Sequence, residues 1–409
     1  MSEQLTSRPV DPPTIPTLPV VGRPPRAEQP APPPAPAPPT VPVMAPVPAP
    51  AAPPAPGRRR GRLNGLDLLR AIASCLVFYT HISTWYRYKE EPMPISEVID
   101  DMLVGPLHLN KELGFLGVAL FFLISGFVMA HVATKERAGE FGVKRALRIL
   151  PSLIVGVVLA WSLVNAGAYS IPGGAKSVDL GDMFANMFLL NFFVDGFEPL
   201  VGVAWTLVTQ LSVYAMIAGL LWAYRRTPWL AVAIQITVCS VILSVVPNFQ
   251  GLGAAAVGNI GAFGTAIVLG QVIWLVWMKK TPVWAGLLLG LACWLVFNWG
   301  DVLGYGRYDD GYMVSLTLAT LLVILAVVAS HRIPRWRVVT YLSSRSYVVY
   351  LVHQTIAFSL LAWLWRDLPS SAAVGISIVA TLLVAELVHR AVEQPFSKLA
   401  TSLTRRGSR

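Results

Sequence analysis

The chain has 409 residues, of which 55% are hydrophobic and 13% charged, with a mean hydropathy of +0.59. Soluble domains carry about 25% charged residues, so the composition excludes an ordinary soluble enzyme, a disordered protein and a disulfide scaffold. It predicts an all-α polytopic membrane protein. The net charge of +10 belongs to cytoplasmic loops rather than to a nucleic-acid surface once it is placed along the chain, and no nucleic-acid partner is expected.

Proline divides the chain. Of 33 prolines, 21 fall within the first 56 residues. Proline lacks a backbone N–H and disfavours helix, so residues 1–62 are expected to form an extended, polyproline-like or disordered tail. The tail ends in the basic cluster Arg58, Arg59, Arg60 and Arg62. It would act as a tether or bind a partner with a proline-reading groove. No short apolar region lies between a basic start and a small-residue cleavage site, so no signal peptide is expected before the first span.

Ten apolar stretches follow, each long enough at about 1.5 Å per residue to cross about 30 Å of hydrocarbon. They are read as 64–86, 114–134, 149–168, 203–224, 229–247, 253–277, 282–299, 312–331, 343–365 and 371–392. A shorter patch, 183–193, is expected to lie in the interface or to re-enter. With both termini inside, 25 Lys and Arg fall on the cytoplasmic side and 6 outside, and Arg70 lies within a span. That asymmetry predicts an N-in, C-in topology. The domain layout is then a cytoplasmic tail at 1–62, a membrane domain at 63–397 and a basic cytoplasmic tail at 398–409. Cys75, Cys239 and Cys293 lie in apolar segments without metal-ligand spacing, and read as small buried hydrophobes.

Charged groups are expensive inside a bilayer, so each is a functional candidate. In the first span Arg70 and His81 are eleven residues apart. That is about three turns plus ~20°, which places both on one helix face about 16 Å apart. Asp67 lies one turn before Arg70 and can pair with it, either as a snorkelling ion pair at the rim or as part of an anion site. A histidine aligned with an arginine suits proton transfer beside an anion.

Arg145 and Arg148 introduce the third span, either as positive-inside anchors or as phosphate-recognising groups. In the ninth span Ser346, Tyr350 and His353 share a face, which serves interhelical hydrogen bonding or lines a site. Glu386, His389 and Glu393 lie at i, i+3 and i+7 at the end of the last span. They either line the cavity or cap the bundle.

These residues resemble the acyltransferase-3 family of bacterial membrane O-acyltransferases. The pieces are Gly65-Leu66-Asp67-Leu68-Leu69-Arg70-Ala71-Ile72-Ala73 with His81, then Phe121-Phe122-Leu123-Ile124-Ser125-Gly126-Phe127, then Arg145, Arg148 and Pro151. Trp205-Thr206-Leu207 with Tyr214, Ser346-Tyr347 with Tyr350 and His353, and Glu393-Gln394-Pro395-Phe396 complete the series in order across about 63–397. One departure stands out: Gln210 occupies the place where the family usually has a glutamate. It keeps hydrogen bonding but puts an acid–base role there in doubt.

The resemblance implies transfer of an acyl group, often acetyl from acetyl-CoA on the cytoplasmic side, to a sugar hydroxyl of an envelope glycan or glycolipid. The proline- and alanine-rich tail adds a faint pointer to a high-GC actinobacterium and a trehalose- or mycolate-type acceptor. Acyl-CoA is the expected co-substrate, with no tightly bound cofactor and no metal. The expected surroundings are the bilayer of the bacterial inner membrane.

In this reading Arg70, Arg145 and Arg148, with Asp67 beside them, hold the donor by its phosphates or its thioester end, and Arg70 counts with His81 as catalytic. His81 is the general base, with direct transfer and a covalent acyl-histidine relay both open. Trp205, Gln210, Tyr214, Ser346, Tyr347, Tyr350, His353 and Glu393 support acceptor or oxyanion. A transporter or flippase of an envelope lipid or glycan precursor is the rival class; it would move substrate without consuming acyl-CoA.

Overall fold

Residues 63–91, 93–172, 174–305 and 310–406 are described by a computed structural model. The proline-rich tail and its arginine cluster lie outside them. Lipid offers the backbone no hydrogen-bond partner, so a chain with these apolar runs must satisfy its peptide groups within helices. Among the described residues ten helices, some with their flanking turns, are long and apolar enough to cross a membrane, and there is no strand. They are α1 (Asn64–Tyr88), α2 (Gly114–Ala133), α3 (Ala138–Asn165), α4 (Trp205–Gly219), α5 (Pro228–Val245), α6 (Leu252–Trp277), α7 (Val283–Val302), α8 (Tyr312–Val328), α9 (Arg337–Leu364) and α10 (Ser370–Val388).

The spans match the apolar runs, but helix does not stop where hydrophobicity does. α3 begins at Ala138 rather than 149, and α9 at Arg337 rather than 343. Arg145 and Arg148 are therefore helical residues with fixed directions, not loop residues. The basic C-terminal segment is also helical: a π-turn, His389–Glu393, leads from α10 into α11 (Gln394–Arg406). The 183–193 patch is a short helix, Leu180–Met187, closed by a reciprocal Asp179–Asp182 capping box and followed by a 3-10 turn, Leu190–Phe192. Cys239 and Cys293 are buried as expected. Cys75 is exposed, a correction to its reading as a buried hydrophobe: with Ile72 one turn before it, it lies on a side of α1 that the other described residues leave uncovered.

α6 is the axis of the bundle, with 89% of its apolar window buried. It packs on α2, α4, α5 and α7. Its seam with α2 depends on two glycines facing opposite ways. A methyl group on Gly126 would lie 1.8 Å from the Ile267 carbonyl oxygen, and one on Gly270 would lie 2.0 Å from that of Leu123. Between lipid-soluble helices, such backbone contact is a principal source of association.

α1 lies against α9, α2 and α8. At one end the Gly65 N–H donates to Ser330 Oγ (3.2 Å) and Asn64 Nδ2 to the Ile333 carbonyl (3.0 Å), tying the start of α1 to the end of α8. At the other end the Asn110 N–H donates to Ser315 Oγ (3.1 Å), near the start of α8. The first two ties join the start of α1 to the end of α8, and the third joins the segment after α1 to the start of α8, so the two helices run antiparallel.

Candidate active site

A cavity of about 340 Å³ lies at the Arg70 end of the bundle, walled by α1, α2, α3, α4, α9 and α11. Eight of the thirteen residues singled out from sequence line it: Arg70, Arg145, Arg148, Gln210, Tyr214, Ser346, Tyr347 and Tyr350. They come from four helices distant in sequence, so the fold brings them together. The remaining five, Asp67, His81, Trp205, His353 and Glu393, lie outside its wall.

The three arginines are not equivalent. Arg70 Nη1 lies 3.9 Å from Asp67 Oδ1, and Asp67 also accepts a hydrogen bond from Ser343 Oγ at 3.0 Å. Asp67 is thus buried behind Arg70, where it ties α1 to α9 and orients the guanidinium. Arg145 is bound to Glu136, stacks over the Phe141 ring at 4.6 Å and touches Met129 Sδ. Glu136 also holds Lys144, at 2.9 Å. Arg148 has no carboxylate partner among the described residues. It is exposed to the cavity and free to meet an incoming anion.

A short polar chain crosses the wall. Gln210 Nε2 donates to the Tyr214 hydroxyl at 2.6 Å, and that hydroxyl lies 2.7 Å from Ser125 Oγ. Tyr347 donates to the Ile149 carbonyl at 2.8 Å, joining α9 to α3. The Tyr350 hydroxyl lies 2.8 Å from Thr206 Oγ1 and 3.1 Å from the Val203 carbonyl, so its one hydrogen is committed within that cluster.

Beyond Tyr350, one turn along α9, His353 meets His81. Their ring centroids are 4.7 Å apart in an edge-to-face arrangement, and His353 Nε2 lies 3.2 Å from His81 Nδ1. Backbone carbonyls fix both tautomers, because a carbonyl oxygen only accepts. His353 Nδ1 must donate to the Tyr350 carbonyl at 2.6 Å, and His81 Nδ1 to the Val77 carbonyl at 2.8 Å. His353 Nε2 therefore presents a lone pair to the His81 N–H. The second nitrogen of His81, Nε2, carries a lone pair and has no hydrogen-bond partner among the described residues. A half-buried imidazole oriented through Nδ1 with Nε2 bare is equipped to take a proton.

The matching family model, an acyltransferase domain, covers residues 63–390. The chain belongs to the acyltransferase-3 family. Nodulation protein 10 of Rhizobium leguminosarum bv. viciae is 27% identical over 380 residues, which is 85% of this chain and 96% of that protein. The exopolysaccharide production protein ExoZ of Rhizobium meliloti is 28% identical over 311 residues, 67% of this chain and 84% of ExoZ. The O-acetyltransferase OatA of Staphylococcus aureus is 25% identical over 334 residues, 71% of this chain and 54% of OatA. No solved structure matches.

This acyltransferase-3 protein is a multi-pass membrane O-acyltransferase, which sets aside the transporter reading. Its geometry gives the family's motif residues separate tasks. In the Phe121–Phe127 motif, Phe121, Phe122 and Ser125 line the cavity while Gly126 makes the α6 contact. Trp205 is packed against Phe122 and Phe263, with ring centroids 6.3 and 5.0 Å away. Glu393 is buried against His389 at 2.6 Å, and Gln394 Nε2 lies 3.1 Å from the other nitrogen of that ring. Glu386 is bound to Arg345 and Arg390. These acids tie α9, α10 and α11 together away from the cavity, so of the two readings open for them the capping one fits.

Sequence reasoning missed Glu136, whose only signal is its place between Lys135 and Arg137. It also missed Glu112, a buried carboxylate that accepts from Thr84 Oγ1 at 2.7 Å and pairs with Arg87 at 2.9 Å at the other end of α1. Glu112 and Leu113 both take positive φ (56° and 58°) there, held by these contacts and by Thr80, which donates to the Glu112 carbonyl.

Proposed function

We propose that the protein transfers an acyl group, acetyl in the simplest case, from acyl-CoA to a sugar hydroxyl of a cell-envelope glycan or glycolipid in the bacterial inner membrane. The observation that carries the reading is the pairing of an arginine-walled cavity with an oriented imidazole beyond it. The charge asymmetry of the loops supports a cytoplasmic position for the Arg70 end and hence entry of the donor from the cytoplasm. Two of the relatives, an O-acetyltransferase and an exopolysaccharide production protein, support acetyl as the group and a saccharide as the acceptor.

Acyl transfer from a thioester needs a holder for a polyanion, a base for the attacking hydroxyl and stabilisation of the developing oxyanion. Arg148, with Arg70 and Arg145 in the same wall, meets the donor's phosphates. The lone pair on His81 Nε2 takes the acceptor's hydroxyl proton as its oxygen bonds to the thioester carbonyl carbon. The tetrahedral oxyanion then collapses, the carbon–sulfur bond breaks and the imidazolium returns its proton to the departing thiolate. Throughout, His81 Nδ1–H stays bonded to the Val77 carbonyl and faces the His353 lone pair, so the positive charge forms where acceptors already stand. Tyr350 and His353, whose hydrogens are committed to other groups, position rather than stabilise the oxyanion.

The test is transfer of label from acetyl-CoA to envelope lipid and glycan fractions in membranes containing the protein. A His81→Ala protein that inserts normally yet keeps full transfer overturns the assignment.

A further inference from the structure

The family match ends at residue 390, yet the wall of the cavity does not. Ser397, Ala400 and Thr401 also line it, and all three belong to α11. They fall at i, i+3 and i+4, one face of the helix. A second face carries Phe396, Leu399 and Leu403, which are exposed. An amphipathic helix with an apolar stripe of this kind lies in the plane of the membrane interface. α11 therefore presents one side to lipid and another to the cavity.

The helix is held firmly in that place. It packs along α3, the element that carries Arg145 and Arg148, with Ala400 buried. Its join to α10 is fixed by the hydrogen bonds among Glu393, His389 and Gln394. Thr401 donates its hydroxyl hydrogen to the Ser397 carbonyl at 3.0 Å. The Ser397 hydroxyl has no partner among the described residues, and so offers a hydrogen to whatever occupies the cavity. A free hydroxyl and an unpaired guanidinium on neighbouring helices form a recognition pair for phosphate oxygens.

We propose that α11 forms part of the donor site: Ser397 acts with Arg148 to hold the phosphates of acyl-CoA, and Ala400 leaves the room they need. The proposal rests on the reading of acyl-CoA as donor. It makes the segment beyond the family domain a determinant of donor affinity rather than a trailing tail.

The experiment measures binding of radiolabelled CoA to the purified full-length protein, together with the KM for acetyl-CoA in membranes. Ser397→Ala, which removes one hydroxyl and leaves the helix intact, is expected to weaken CoA binding about tenfold. The KM should rise in step, with kcat within about twofold. Ala400→Leu, which fills the same wall, should weaken binding further, whereas Ser402→Ala on the outward side should change nothing. CoA affinity equal to wild type in both Ser397→Ala and Ala400→Leu overturns the proposal while leaving the donor reading intact. A wild-type protein that binds no CoA contradicts the donor reading itself, and this proposal with it.

Discussion

His353 Nε2 lies 3.2 Å from His81 Nδ1, so two helices 272 residues apart in sequence meet at a pair of imidazoles. Each ring donates its Nδ1–H to a carbonyl of its own helix. The contact orients His81 without consuming its outward lone pair.

His353 is therefore a positioning residue, and replacing it should slow transfer without removing it. His353→Ala is expected to lower kcat about tenfold, the effect of losing one neutral hydrogen bond of about 1.4 kcal/mol. The KM for acetyl-CoA should stay near the wild-type value. His81→Ala should lose about 10²–10⁴-fold, the range for a missing general base. Steady-state rates on membranes with matched protein levels distinguish the two.

Arg148 and Arg145 should fail in different ways. Arg148 has no carboxylate partner among the described residues, so Arg148→Ala should raise the KM for acetyl-CoA tenfold or more and leave the amount of folded protein unchanged. Arg148→Lys should recover part of the affinity through charge alone. Arg145→Ala strips Glu136 of one of its two partners, and so should reduce thermal stability in detergent as well as donor affinity. Melting temperatures alongside KM values check both.

Gln210 tests the departure from the family pattern. Its side chain donates to Tyr214, which in turn meets Ser125. A carboxylate there reverses the direction of that chain but keeps it intact, since Tyr214 can donate to it and accept from Ser125. Gln210→Glu should keep kcat within a few-fold and raise the KM for the anionic donor, because it adds a negative charge to an arginine-lined wall. Gln210→Leu should lower kcat more, since the Tyr214 hydroxyl loses its donor. A kinetic comparison in which Glu outperforms Gln in donor affinity contradicts this account.

The contrast between what sequence did and did not reveal follows from reach. Spans were legible because apolar length is a local property, and the cavity residues were legible because their motifs carry polar groups that lipid forbids elsewhere. The meeting of His81 with His353 was not legible, since no local spacing links residues on helices so far apart. α3 and α9 start upstream of their apolar runs because helix continues through Lys144 and Arg145, and through Arg337 and Tyr341, where hydropathy is low. The same reasoning left α11 as a tail, although its Phe396, Leu399 and Leu403 have helical spacing. Trp205, expected among the residues that support acceptor or oxyanion, has its ring packed against Phe122 and Phe263, a contact that no local spacing announces.

Gly126 should prove indispensable for assembly rather than chemistry. A methyl group there would overlap the Ile267 carbonyl, and α6 cannot retreat because it is enclosed on nearly all sides. Gly126→Ala is expected to cost about 1–3 kcal/mol, read as a lower melting temperature in detergent. Gly139→Ala, where a methyl group meets nothing within 4 Å, serves as the neutral comparison.

An oriented His81 that deprotonates an envelope saccharide while the arginine wall holds acyl-CoA has a direct readout: labelled acetyl groups followed from acetyl-CoA into envelope lipids and glycans, in membranes containing wild-type or His81→Ala protein at equal levels. The wild type is expected to yield an acyl-bearing saccharide, and His81→Ala at least a hundredfold less. Equal labelling with both proteins, or none with the wild type, overturns the role given to His81 and the transfer itself.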